Sequence, residues 1–125
     1  MDAQALDRTY PANPTAVARA RTELCDAMAP SLERGELETL RLLVSELVTN
    51  AVRHGDGNGP VEVHAHWNSE VRVEVCDRGD GFAPHRLAPR EDPGGFGLYL
   101  VGCLADRWGV EIEDGTTVWF VLRRQ

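Results

Sequence analysis

The segment from Val61 to Asp77 constrains the fold more than any other stretch of this sequence. Val61, Val63, Ala65 and Trp67 alternate with polar residues, and Val71, Val73 and Val75 do so again after Asn68-Ser69. Period-2 alternation sends one set of side chains to one face of a strand and the other set to the opposite face. Two such runs split by a short polar turn predict a β-hairpin with one apolar face. That face needs a second layer to cover it.

The flanking sequence supplies the layer. Asn13-Pro14 reads as a helix start, a capping residue followed by proline at the first helical position. Val17, Ala20, Leu24, Ala27 and Met28 then recur at helical spacing until Pro30. A second helix is predicted over 36–54, with an apolar stripe of Leu40, Leu43, Val44, Leu47, Val48 and Ala51 and a stop at Gly55. Residues 56–60 form a loop by composition. Residues 77–95, crowded with Gly and Pro, predict a long loop, of the kind that serves as a lid or stays disordered. A third helix is expected over 96–107, with Leu98, Val101, Leu104 and Ala105 inward. Strands are expected over 108–113 and 117–123, split by Asp114-Gly115, and an edge strand over 6–10. Hairpins and helices in separate runs predict a two-layer α+β domain, not the strict βαβ alternation of a dinucleotide-binding fold.

The 125 residues fit one domain, 1–125, with its core over 8–123. The net charge of -7 argues against a sequence-independent grip on nucleic acid, which needs clustered cations. All 13 basic residues are Arg. Without Lys, P-loop NTPases, the usual protein kinases and Schiff-base chemistry are excluded. The N-terminus lacks a basic stretch followed by an apolar run, and no apolar stretch approaches a membrane span. Cys25, Cys76 and Cys103 are odd in number and widely spaced, and read as small core hydrophobes in a reducing cytoplasm.

Three runs carry the polar chemistry. Glu46 and Asn50 lie four apart on the second helix and project from one face, with Arg53 and His54 continuing near it. A half-buried Glu46 suits a general base. The neutral oxygen of Asn50 suits a hard cation such as Mg²⁺. The solvated flank of an amphipathic helix is the plainer alternative. Asp77 ends a strand and opens Asp77-Arg78-Gly79-Asp80-Gly81. A carboxylate there is placed to accept from a bound amine, and the glycines let backbone approach a flat ligand. A simple Asp-Gly turn is the alternative. Gly94-Gly95-Phe96-Gly97-Leu98 runs into a helix, where free N–H groups and the dipole favour phosphate, unless the glycines are only a hinge. His64 and His66 share a strand face, with no third metal ligand evident.

In this order, the runs resemble the boxes of the GHKL ATPase superfamily. Residues 46–54 resemble its N-box, Asp77 to Gly81 its first glycine box, and Gly95 to Leu100 its second. The short length and the form of the N-box resemble one branch in particular, the anti-sigma factor serine kinases. The resemblance covers about residues 8–123. It implies a Bergerat fold, a mixed sheet with helices on one face and ATP between helices and lid. It implies Glu46 as general base and Asn50 as the Mg²⁺ ligand. It implies Asp77, Gly79 and Gly81 at the adenine, Gly95, Gly97 and Leu98 at the phosphates, and Thr117 near the adenine. It also implies transfer of the γ-phosphate to a serine on an anti-anti-sigma partner of the STAS fold, control of a sigma factor, and a homodimer as one assembly state. The lid over 82–94 is short and Pro-rich. A nucleotide-binding partner module with little or no phosphotransfer is therefore the alternative reading.

Overall fold

The computed structural model describes residues 4–54, 59–77, 98–112 and 115–124. Eight elements follow in the order β1 (Gln4–Tyr10), α1 (Thr15–Met28), α2 (Arg34–His54), β2 (Val61–Trp67), β3 (Glu70–Asp77), α3 (Leu98–Leu104), β4 (Arg107–Ile112) and β5 (Thr116–Arg123). The strands form one sheet in the order β1-β2-β3-β5-β4.

The two-layer α+β class holds, with one correction. Every strand pair among the described residues is antiparallel, so this sheet is not mixed. The cause lies in the last hairpin. Both β3 and β4 run antiparallel to β5, so they share a direction and a crossover through α3 joins them. β5 inserts between them, and no parallel pair forms.

The alternation of the central hairpin sorts its side chains as expected. Val61, Val63, Ala65, Trp67, Val71, Val73 and Val75 are buried on the helix side. Glu62, His64, His66, Arg72 and Glu74 take the other face of the sheet. Leu40, Leu43, Val44, Leu47 and Val48 of α2 meet the inner face, as do Ala20, Leu24 and Met28 of α1. Burying each of the larger side chains contributes about 1.5–3 kcal/mol.

Local chemistry explains the element ends. The Asn13 side chain accepts the Thr15 N–H at 3.0 Å and caps α1. At the start of α2, the Glu36 carboxylate accepts the Glu33 N–H at 2.9 Å, and its charge favours the helix N-terminus. α3 ends at Leu104, earlier than residue 107, because the Asp106 N–H donates to Val121 and starts the β4–β5 ladder. Gly115, at φ 120°, turns that hairpin in a conformation that L side chains disfavour.

The outer face is polar, with one aromatic centre. Trp119 lies against Gly109, where an added Cβ would come within 2.8 Å of the ring. Arg72 stacks over Trp119 at 4.3 Å and donates to Glu74 at 2.9 Å. Cysteine placement departs from expectation. Only Cys25 is buried, Cys76 is intermediate and Cys103 is exposed, and all three are free thiols. Cys76 falls on the outer face by strand parity, and Cys103 lies on the solvent side of the short α3.

Edge strand β1 is held from both sides. Tyr10 is buried and donates to Glu23 of α1 at 2.7 Å, while Arg8 meets the same carboxylate at 3.3 Å. Burial and Glu23 together hold the Tyr10 phenol far above its usual range. On the outer face, His64 contacts Asp7 at 2.7 Å and Glu62 at 3.3 Å. The Asp7 hydrogen bond raises the His64 pKa against the opposing effect of partial burial, and Glu62 adds to the rise. The imidazolium therefore stabilises the fold fully below the unfolded pKa, and this contribution is lost as pH rises through the folded value. The imidazole is 40% exposed, so screening holds the effect below about 1 kcal/mol. In urea melts, the stability difference between the native chain and His64→Gln is expected to be larger at about pH 6 than at about pH 8.

Candidate functional site

One end of the helix–sheet seam gathers the polar residues singled out in the sequence. α2 runs into β2 through a short connection, so the last turns of α2 lie at the end of the sheet where β2 begins. Asp77, the last residue of β3, is registered opposite Val61, the first of β2, and opposite Thr116, the first of β5. α3 starts at this end too, because its C-terminus leads to Asp106 and Val121 at the far end.

Among the described residues, Asn50 and Asp77 are the buried polar side chains, 6% and 8% exposed. Both are inward for sequence reasons. Asn50 lies three residues after Leu47 and seven after Leu43, on the apolar stripe of α2. Asp77 keeps the parity of Val71, Val73 and Val75. The Asn50 Oδ1 has no hydrogen-bond partner among the described residues. A buried carbonyl oxygen left unpaired costs about 1–3 kcal/mol. Such an orphan fits an oxygen ligand to a hard cation such as Mg²⁺.

Glu46, one turn before Asn50, is half-buried, and Arg53, one turn after it, is exposed. A carboxylate, an amide and a guanidinium thus follow along one side of α2. Leu98, at the start of α3, is buried in the core, so it anchors that helix start and offers a ligand backbone rather than side chain. Gly79, Gly81, Gly95 and Gly97 lie outside the described residues, as does the 82–94 lid.

Thr117 does not face this end of the seam. Its hydroxyl donates to Cys76 Sγ at 3.3 Å, and the two residues are cross-strand partners on the outer face. Thr116, registered against Asp77, is the threonine on the inner side. Sequence reasoning missed Thr116 because β5 is apolar on both parities through Val118-Trp119-Phe120-Val121-Leu122, which hides the inward set. His64 and His66 alternate on the outer face of β2. His64 is taken by Asp7 and Glu62, and no set of three metal-ligating side chains occurs among the described residues.

A buried amide with an unpaired oxygen, a buried strand-end carboxylate and a half-buried glutamate thus stand on these elements. The histidine kinase-like ATPase domain matches residues 10–122. The chain belongs to the histidine kinase-like ATPase family. Its curated relatives include the serine-protein kinases RsbW of Bacillus licheniformis and Bacillus subtilis, 33% and 34% identical over 99 residues. Each alignment covers 66% of this chain, and the chain spans 62% of the length of each of those relatives. RsbW of Listeria innocua is 28% identical, with 86% of this chain and 80% of the relative covered. The crystal structure of the RsbU and RsbW domains of a Mycobacterium tuberculosis protein superposes with a TM-score of 0.77 over 97% of this chain and 32% of that one, at 23% identity. That likeness shows the shared fold.

The orphaned amide yields a prediction. Asn50→Leu removes an unpaired buried oxygen, so the ligand-free protein is expected to melt no more than about 1 kcal/mol below the native chain, and to equal or exceed it if the cavity repacks. The same variant is expected to lose the thermal stabilisation that ATP with Mg²⁺ confers. Differential scanning fluorimetry with and without nucleotide measures both.

Proposed function

We propose that this chain is an ATP-dependent serine-protein kinase that phosphorylates an anti-anti-sigma protein of the STAS fold and so regulates a sigma factor. The observation that carries the reading is the orphaned, buried Asn50 Oδ1 one turn from Glu46 and at the same end of the seam as Asp77. RsbW relatives named as serine-protein kinases support it.

Each residue has a role that its placement allows. Asp77 accepts a hydrogen bond from the adenine amino group, and its burial strengthens that bond by excluding water. Thr116, beside Asp77 in the register, lines the same wall. Asn50 holds Mg²⁺ through its free oxygen, and the metal supplies charge neutralisation at the phosphates. The family resemblance assigns Gly79 and Gly81 to the adenine and Gly95 and Gly97 to the phosphates. Arg53, further along the same face, offers a guanidinium to the phosphate oxygens. Glu46 takes the proton of the partner's serine hydroxyl as that oxygen bonds to the γ-phosphorus of ATP and the β–γ oxygen leaves with ADP. No helix of the described residues is long and apolar enough to cross a membrane.

Incubation with labelled ATP and a panel of STAS-fold proteins tests the reading. Transfer to a serine is expected with the native chain and is expected to fall by about 10²–10⁴-fold in Glu46→Ala, with ATP affinity retained. ATP binding without transfer to any member of the panel would make the chain a nucleotide-binding partner module instead.

A further inference from the structure

We propose that Trp108 is a positioning residue, whose indole, laid over Gly102, holds the short helix α3 against β4 and so sets where Leu98 stands at the end of the seam marked by Asn50 and Asp77. This assignment rests on the proposed binding of nucleotide at that end.

α3 is too short to hold itself. It has seven residues, Leu98–Leu104, and an isolated helix of that length is unstable in water. Gly102 lies inside it, and glycine weakens a helix interior more than any residue but proline. The place of α3 is therefore set by what it packs against. Leu98 and Val101 are its buried residues, and they fasten one face to the core. Tyr99, Cys103 and Leu104 are exposed.

Gly102 supplies a third point of attachment. It lies four residues after Leu98 and one after Val101, beside the buried stripe. A Cβ added there would stand 3.4 Å from Trp108 Nε1, 3.8 Å from Cε2 and 3.9 Å from Cζ2. These nearest atoms all belong to one indole, which therefore lies against the bare backbone of the helix. Strand β4 brings it there. Trp108 is registered against the buried Phe120, so its ring turns to the helix side of the sheet. Between Leu104 and Arg107 the chain folds back, and the Asp106 N–H donates to Val121, which ties that turn to β5. The indole is thus carried on a strand fixed by its ladder.

The contact lies at the surface, since Trp108 is 39% exposed, so a change there leaves the core residues in place. From Gly102 back to Leu98 is one helical turn, about 6 Å along the axis. A tilt of α3 at Gly102 is therefore carried to Leu98, the residue that the family resemblance assigns to the phosphates. Displacing a binding group by about 1 Å, even from far away, can cost about a hundredfold in rate.

Hydrogen exchange and calorimetric titration of ATP with Mg²⁺, both on the full chain, test the assignment. In the nucleotide-free protein, Trp108→Ala and Gly102→Leu are each expected to speed amide exchange in α3 about tenfold, corrected for intrinsic rates, with α2 and β3 unchanged. Leucine is a better helix former than glycine, so a loss in Gly102→Leu comes from the crowded indole and not from helix propensity. Both variants are expected to bind ATP about tenfold more weakly, and Trp108→Phe, which keeps a ring over Gly102, to stay within about threefold of the native chain. Native exchange of α3 in Trp108→Ala overturns the assignment, as does faster exchange spread equally over α2 and β3, or a loss that Trp108→Phe fails to restore. A native chain that binds no ATP overturns the nucleotide reading and this assignment with it. Binding by the native chain that Trp108→Ala leaves intact overturns this assignment alone.

Discussion

The apolar seam between α2 and the inner face of β3 is the contact on which the rest of the structure depends. Leu40, Leu43, Val44, Leu47 and Val48 meet Val71, Val73 and Val75 there, all nearly without solvent exposure. Close packing on both sides fixes the rotation of α2 and the height of β3. It therefore fixes where Asn50 and Asp77 end up, because each continues the periodicity of the apolar residues before it. The two polar groups are held inward by neighbours that have nowhere else to go. This is how a core built for stability comes to present an amide oxygen and a carboxylate at one end, each in a low-dielectric wall where a hydrogen bond or a cation contact counts for more than in water.

That logic also explains how much was legible in the sequence. The central hairpin and α2 announce themselves through clean periods of 2 and 3.6, which gave their apolar faces but left the burial of Asn50 and Asp77 unread. β5 gave no such guide. Apolar residues fill both of its parities, because Trp119 and Val121 belong to an outer face that Arg72 and its neighbours cover. Which threonine stands beside Asp77 in the register, Thr116 rather than Thr117, was hidden for that reason. The parallel component expected of the sheet was lost to topology. A hairpin placing β5 between β3 and β4 is a long-range choice with no local signature. The exposed cysteines are a smaller case, since a thiol carries no pattern of its own and takes the face its neighbours assign.

The chain's membership of the histidine kinase-like ATPase family motivates the common purpose proposed for these placements. A lysine-free chain can still manage phosphate charge, provided a hard cation, backbone N–H groups and Arg share the work. The half-buried Glu46 sits one turn from the orphaned Asn50 oxygen, so under the proposed function proton acceptance and metal binding would be adjacent on one rigid helix. Rigid helices position such groups better than loops do.

The central claim is that the end of the seam marked by Asn50 and Asp77 binds an adenine nucleotide. Calorimetric titration of ATP with Mg²⁺ into the native chain and into Asp77→Asn tests it most directly. The account predicts binding to the native chain and a loss of at least about tenfold in the variant, because the neutral amide oxygen is a weaker acceptor for the adenine amino group than a carboxylate, and an NH2 group replaces the second carboxylate oxygen in the buried wall. No binding to the native chain, or equal affinity in both, would contradict it.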